Sequence, residues 1–122
     1  MMWDSVKPEF KKSEFDCKCG CGTNNVDERH MEKLYVARNH ADIPFIVNSG
    51  CRCAVHNKNE GGTEDSSHLS GYGTDISCTD SHSRFLIVAA LIYAGFTRIL
   101  IYEDFIHADT NPSKTQEIIL LM

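Results

Sequence analysis

The sequence predicts an α+β domain: a mostly antiparallel sheet with helices packed on one side. Three observations carry that expectation. Two stretches, near residues 27–40 and 83–93, repeat apolar side chains at helical spacing. Five short runs rich in Ile, Leu, Val, Phe and Tyr read as strands, at 45–47, 72–77, 97–102, 105–109 and 116–121. Their order is helix, strand, strand, helix and then three strands. The 122 residues suit a single domain over 1–122, long enough to bury about two thirds of the unfolded surface.

Residues 1–16 are polar, with Trp3, Phe10 and Phe15 as scattered anchors, and Pro8 opens a helical turn through Lys12. Gly20 and Gly22 make residues 17–25 a loop. Asn25 or Asp27 caps the first helix, whose inner face is Met31, Leu34, Tyr35 and Arg38. Asp27, Glu28 and Glu32 suit its positive end. His30 and His40 read as surface histidines, since no acidic or thiol group pairs with either at ligand spacing. Pro44 precedes the first strand, which leads to Ser49-Gly50-Cys51-Arg52-Cys53. Residues 53–65, with Asn57, Asn59, Gly61 and Gly62, read as a loop.

The strand at 72–77 places Asp75 and Ile76 on opposite faces. Asp80 or Ser81 caps the second helix and Gly95 ends it. Phe85, Val88, Ala89 and Ile92 are its expected buried face, widened by Leu86, Ile87 and Leu91, which makes it the most buried helix. Only Glu103 and Asp104 separate the next two strands, and Asn111-Pro112-Ser113 turns the chain into the last.

The formal charge of −5 argues against a broad phosphate-contacting face, so nucleic acid is not an expected partner. The longest apolar run, which begins at Phe85 and ends before Gly95, is far too short to span a membrane, and the N-terminus lacks the apolar core of a signal peptide. A chain made in the cytoplasm is expected. The cysteines at 17, 19, 21, 51, 53 and 78 are open to three readings: free thiols, disulfides or a second metal. The missing signal counts against disulfides, and the C-x-C spacers are tighter than usual for structural zinc.

One set of residues carries chemistry. His68 and Asp75 lie seven apart with Gly71 and Gly73 between them, and His107 follows in a later strand with acidic neighbours on both sides. Two imidazoles and a carboxylate suit a catalytic zinc, which keeps a fourth position for water. Taken singly, each histidine reads more readily as an ordinary loop or core residue than as a ligand. A carboxylate in a short apolar strand needs a partner if it faces inward, and a metal supplies one. Such a site also needs a proton carrier, which Asp104 can be if it sits on a bend. Asp109 shares the face of His107 and can orient its ring. Arg52 reads either as a surface charge or as a planar clamp for a carboxylate.

At these residues the sequence resembles the zinc D-alanyl-D-alanine carboxypeptidases, a family of hedgehog/DD-peptidase fold that includes bacteriophage murein endopeptidases. Ser66, His68, Gly71, Asp75 and Ile76 match its S-x-H-x-x-G-x-A-x-D-I pattern, with Gly73 in place of the usual Ala. Phe105-Ile106-His107-Ala108-Asp109 matches its strand ending in H-x-D. Ser49-Gly50-Cys51-Arg52-Cys53, then His56-Asn57, matches S-G-Y-R-C and His-Asn, with Cys51 in the Tyr place. Gly61-Gly62 and the opening Phe15 to Cys21 also fit.

The resemblance implies zinc held by His68, Asp75 and His107, Arg52 on a substrate carboxylate, and Asp104 as acid/base, with Glu103 as the alternative. It implies hydrolysis of peptide bonds in peptidoglycan stem or cross-link peptides by a monomer released through a phage-type lysis route. The competing expectation is a non-catalytic, zinc-containing binding module of the same fold.

Overall fold

The computed structural model describes residues 10–122, and the expected α+β domain is what it shows. Trp3 and the start of the turn expected at Pro8 lie outside the described residues. A 3-10 turn spans Lys12–Glu14. Helix α1 covers Glu28–Ala41, strand β1 Val47–Ser49, helix α2 Ala54–Asn59 and helix α3 Ser67–Ser70. Strand β2 is Gly73–Ser77, helix α4 Ser81–Ala94, and strands β3, β4 and β5 are Arg98–Ile101, Phe105–Asp109 and Ile118–Leu121.

The five strands form one sheet in the order β1-β2-β4-β3-β5. All neighbours are antiparallel except β3 and β5, which run parallel. In the centre Asp75 stands opposite His107 and Ile76 opposite Ile106. Side chains alternate along a strand, so this register sorts β2 and β4 into two faces. Ile76, Ile106 and Ala108 join Ile99 under the helices, and Asp75, His107 and Asp109 point to the other side.

Both long helices start and stop on local chemistry. The Asp27 carboxylate accepts from the His30 N–H at 3.0 Å, and that of Asp80 from the Ser83 N–H at 2.8 Å. Such caps satisfy amide groups that have no partner in the first helical turn. Gly95 ends α4 at φ +98°, a left-handed turn that costs a residue without a Cβ little. The helices pack on each other, Met31, Leu34 and Ala37 of α1 and Ile87, Ala90 and Leu91 of α4 all being buried.

Four expectations are corrected. The buried face of α4 is not Phe85, Val88, Ala89 and Ile92: Phe85 is 69% exposed and Ile92 53%. The helix is apolar nearly all round, so its pattern has no phase, and α1 selects the side that packs. His30 is not on the surface but fully buried, its two ring nitrogens 2.6 and 2.7 Å from the hydroxyls of Thr110 and Thr74. Residues 53–65 are not all loop, since Cys53 caps the short α2. The first strand begins at Val47, with Phe45 buried in the core just before it.

Candidate metal centre and substrate cavity

Asp75 and His107 face each other across the β2–β4 ladder, so the sheet brings them together over 32 residues of sequence. Asp75 Oδ1 lies 2.8 Å from His107 Nδ1. His68 arrives from the single turn of α3. Ser66 caps that turn through the His68 N–H, and Gly71 ends it at φ +80°. Gly71 is also where the chain passes closest to the Asn25 carbonyl, leaving no room for a Cβ. His68 Nε2 then lies 3.2 Å from Asp75 Oδ2. All three side chains are buried, and one donor atom from each falls within 4.8 Å of the other two.

The outer hydrogen bonds orient both rings. His68 Nδ1 is 2.6 Å from the Gly50 carbonyl, which can only accept, so Nδ1 carries a proton and Nε2 is the atom turned toward Asp75, where it donates when the ring is charged and offers its lone pair to a cation when the ring is neutral. On His107 the far nitrogen, Nε2, is 2.7 Å from Asp109 Oδ2. Asp109 in turn accepts from the Asn111 N–H at 2.7 Å and lies 3.9 Å from Arg98 Nε. A carboxylate or carbonyl behind each ligating imidazole is the usual support of a metal site.

The charges explain why a cation fits. A neutral imidazole has one N–H, yet His107 stands between two carboxylates. Burial works against a charge on the ring, but the bonds to Asp109 and Asp75 outweigh it and raise its affinity for a proton. Burial likewise pushes the Asp75 carboxyl up, while His107 and His68 hold it well below the usual carboxylate range. The pocket therefore stabilises positive charge between three converging donors. A divalent metal would supply that charge, with His107 Nδ1 among the donors that would hold it. The donor set suits zinc.

Arg52 is at the same place. Its Nη2 is 3.7 Å from Asp75 Oδ2, its Nε donates to Ser49 Oγ at 3.2 Å and its Nη1 to Asn57 Oδ1 at 3.3 Å. Asn57 is buried and also donates to the Thr63 carbonyl at 2.8 Å. A Cβ at Gly62 would collide with the Asn57 side chain, so the glycine permits this approach. Arg52, Gly62 and Thr63 open with the three donors onto a cavity of about 390 Å³ whose wall also includes Glu60, Arg98, Tyr102 and Phe105.

Asp104 is placed differently from the ligands. It sits exposed in the turn between β3 and β4, its carbonyl accepting from the Cys78 N–H at 3.0 Å, and it is not among the residues lining the cavity. Glu103 is exposed in the same turn and is likewise outside the lining. Glu60 does line the cavity and had no sequence signal. Arg98, Asn57 and Ser49 were also missed as parts of the site. Ser49 and Asn57 had a trace, as members of the S-G-Y-R-C and His-Asn motifs, and Arg98 had none. At Gly73 a methyl group would come 2.8 Å from His107 Cε1, so the ring occupies space that an alanine needs.

A buried His-Asp-His set beside an arginine, on a cavity of substrate size, is the kind of donor arrangement that metal-dependent hydrolases use. The family model described as Peptidase M15 matches residues 8–109, and the chain belongs to that family of metal-dependent peptidases. The match runs from before the 3-10 turn to the end of β4, so β5 lies beyond it. No curated protein matches the chain.

Proposed function

We propose that this domain is a zinc peptidase that cuts peptide bonds in peptidoglycan stem or cross-link peptides, with zinc on His68, Asp75 and His107. The observation that carries the reading is the meeting of those three donors with the Arg52 guanidinium at the floor of one cavity. Bound zinc supplies Lewis acidity and a water ionisable near neutral pH. Arg52 holds a carboxylate of the substrate, kept in orientation by Ser49 and Asn57. A guanidinium clamp fixes position as well as charge, and position is a large part of catalysis. His68 and His107 keep their lone pairs inward because Gly50 and Asp109 hold their protons outward. Asp104, in the exposed β3–β4 turn, is proposed to carry the proton from water to the leaving amine, and Glu60 on the cavity wall is the carboxylate against which that role is tested.

The test is incubation of the zinc-loaded protein with purified peptidoglycan, the cut bond being mapped by mass. Loss of D-alanine alone identifies a carboxypeptidase, and release of stem or cross-link fragments an endopeptidase. Intact peptidoglycan after metal-replete incubation overturns the reading. For the setting, we propose synthesis in the cytoplasm and action on the wall after release by a lysis or secretion route. Reporter assays of culture supernatants before and after lysis check it.

A further inference from the structure

Four of the six cysteines meet at one point. The Sγ atoms of Cys17, Cys19, Cys21 and Cys53 all lie within 4.8 Å of one another, 3.4 Å apart for Cys17 and Cys19 and 3.7 Å for Cys19 and Cys53. None is in a disulfide. A tetrahedral tetrathiolate zinc site has sulfurs about 3.8 Å apart, from Zn–S bonds of about 2.3 Å, whereas a disulfide needs about 2.05 Å. Apolar burial does not explain the cluster, because Cys19 and Cys21 are exposed.

The backbone is shaped for convergence. Cys17 N–H donates to the Thr23 carbonyl at 2.8 Å and Gly20 N–H to the Cys17 carbonyl at 3.2 Å. Gly20 and Gly22 adopt φ of +88° and +85°. This curl brings three sulfurs of a C-x-C-x-C run to one side, which an extended strand also does but without closing them on a point. Cys53 arrives because Cys51 N–H donates to the Phe15 carbonyl at 2.9 Å, and a Cβ at Gly50 would strike the Phe15 backbone. Two backbone amides point at sulfur: Cys53 N–H at Cys17 Sγ and His56 N–H at Cys53 Sγ, both at 3.4 Å. Such donors favour the thiolate form that binds metal. Cys51 and Cys78 stay apart, the first against Asn24 Oδ1 and the second in the core.

We propose that Cys17, Cys19, Cys21 and Cys53 bind a second, structural zinc ion. Four protein ligands close the coordination sphere and leave no position for water or substrate. The ion ties the N-terminal loop to the N-cap of α2, directly beside Arg52. Its role is to hold the arginine's segment, and binding releases thiol protons as the loop is fixed.

Elemental analysis of the full chain, purified with zinc under reducing conditions, is expected to give two zinc per chain. His68→Ala is expected to keep one, and Cys19→Ser/Cys21→Ser to keep one and to raise KM more than it lowers kcat. Cobalt loaded into the His68→Ala chain is expected to show intense sulfur-to-metal charge-transfer absorption, which does not depend on any cysteine variant folding. A His68→Ala chain without zinc and without that absorption overturns the proposal. So does an intact mass showing bridges among these four cysteines in freshly isolated protein. The two metal sites fail independently: a chain that holds thiolate-bound zinc but leaves peptidoglycan uncut refutes the peptidase reading alone.

Discussion

His107 is held between two carboxylates, and that single arrangement sets the strongest expectations at the scale of residues. Replacing His68, Asp75 or His107 by alanine removes one of three converging donors, so zinc at this site and hydrolysis should be lost together, measured by elemental analysis and peptide release. Asp109→Asn keeps the donors but weakens the support behind His107, and zinc affinity should fall about 10–100-fold. Competition with a chromophoric chelator reads that difference. For the proton carrier, Asp104→Asn should leave zinc bound and lower kcat, with Glu60→Gln as the comparison. If only the Glu60 variant loses rate, the carboxylate on the cavity wall is the carrier and Asp104 is not. Asn57→Ala should raise KM with little change in kcat, because it frees the arginine without touching the metal ligands.

The three converging donors were legible because their spacing is a local signature: an imidazole and a carboxylate on either side of two glycines, then an imidazole in an apolar strand. Arg52 was ambiguous from the residues alone. Ser49 and Asn57 hold it beside Asp75, and contacts between a strand end and a short helix leave no periodic trace. Arg98 stands opposite Asp109 in the β3–β4 register, so its part in the site is readable only once strand pairing is known.

Among the elements, α4 shows where pattern reading stops. A helix with one apolar stripe declares its buried face, but this one carries apolar residues all round from Phe85 to Ile92. Its ends were legible, since Asp80 and Gly95 act through local hydrogen bonds and backbone angle, while its rotation depended on α1. Leu91→Ala should therefore cost about 2–5 kcal/mol, as a buried leucine cavity does. Phe85→Ala should cost no more than about 0.5 kcal/mol, the range of exposed sites. Urea unfolding of both variants checks the pair, and equal losses would contradict the packing described. The short α2 escaped notice for a different reason: six residues with no apolar period are held by their capping thiol and by Asn57, not by propensity.

For the whole molecule, His30 ties helix to sheet. It touches Thr74 of β2 and Thr110 just past β4 through a ring that is buried and neutral. Burial pushes its pKa down to about 3 from 6.5; the charge of Asp109 opposes this, while His107, His68 and Lys33 add to it. The unfolded imidazole protonates below about pH 6.5, whereas the folded one resists, so the unfolded state binds more protons there. Stability is fully present above that pH and falls as pH drops toward 3, by at most about 1.4 kcal/mol per pH unit from this one group. Unfolding free energies at pH 7 and pH 5 should show the loss, and His30→Gln should flatten it. The α+β class and the order of the two long helices and five strands were legible from the sequence, while the short α2 and α3 were not. The sheet order, with β5 beside β3, was not, because nothing local encodes which strands become neighbours.

The pairing of Asp75 with His107 bears on how the chain finds its native alignment. A slip of one residue between β2 and β4 would turn His107 and Asp109 toward the apolar core and Ile106 and Ala108 toward water. It would also scatter the donors, so a slipped sheet would have nothing with which to grip the ion. In the proposed zinc-bound protein, metal affinity thus penalises the same alignment errors that hydrophobic burial penalises. The metal would act as a second proofreader of strand register as well as a reagent.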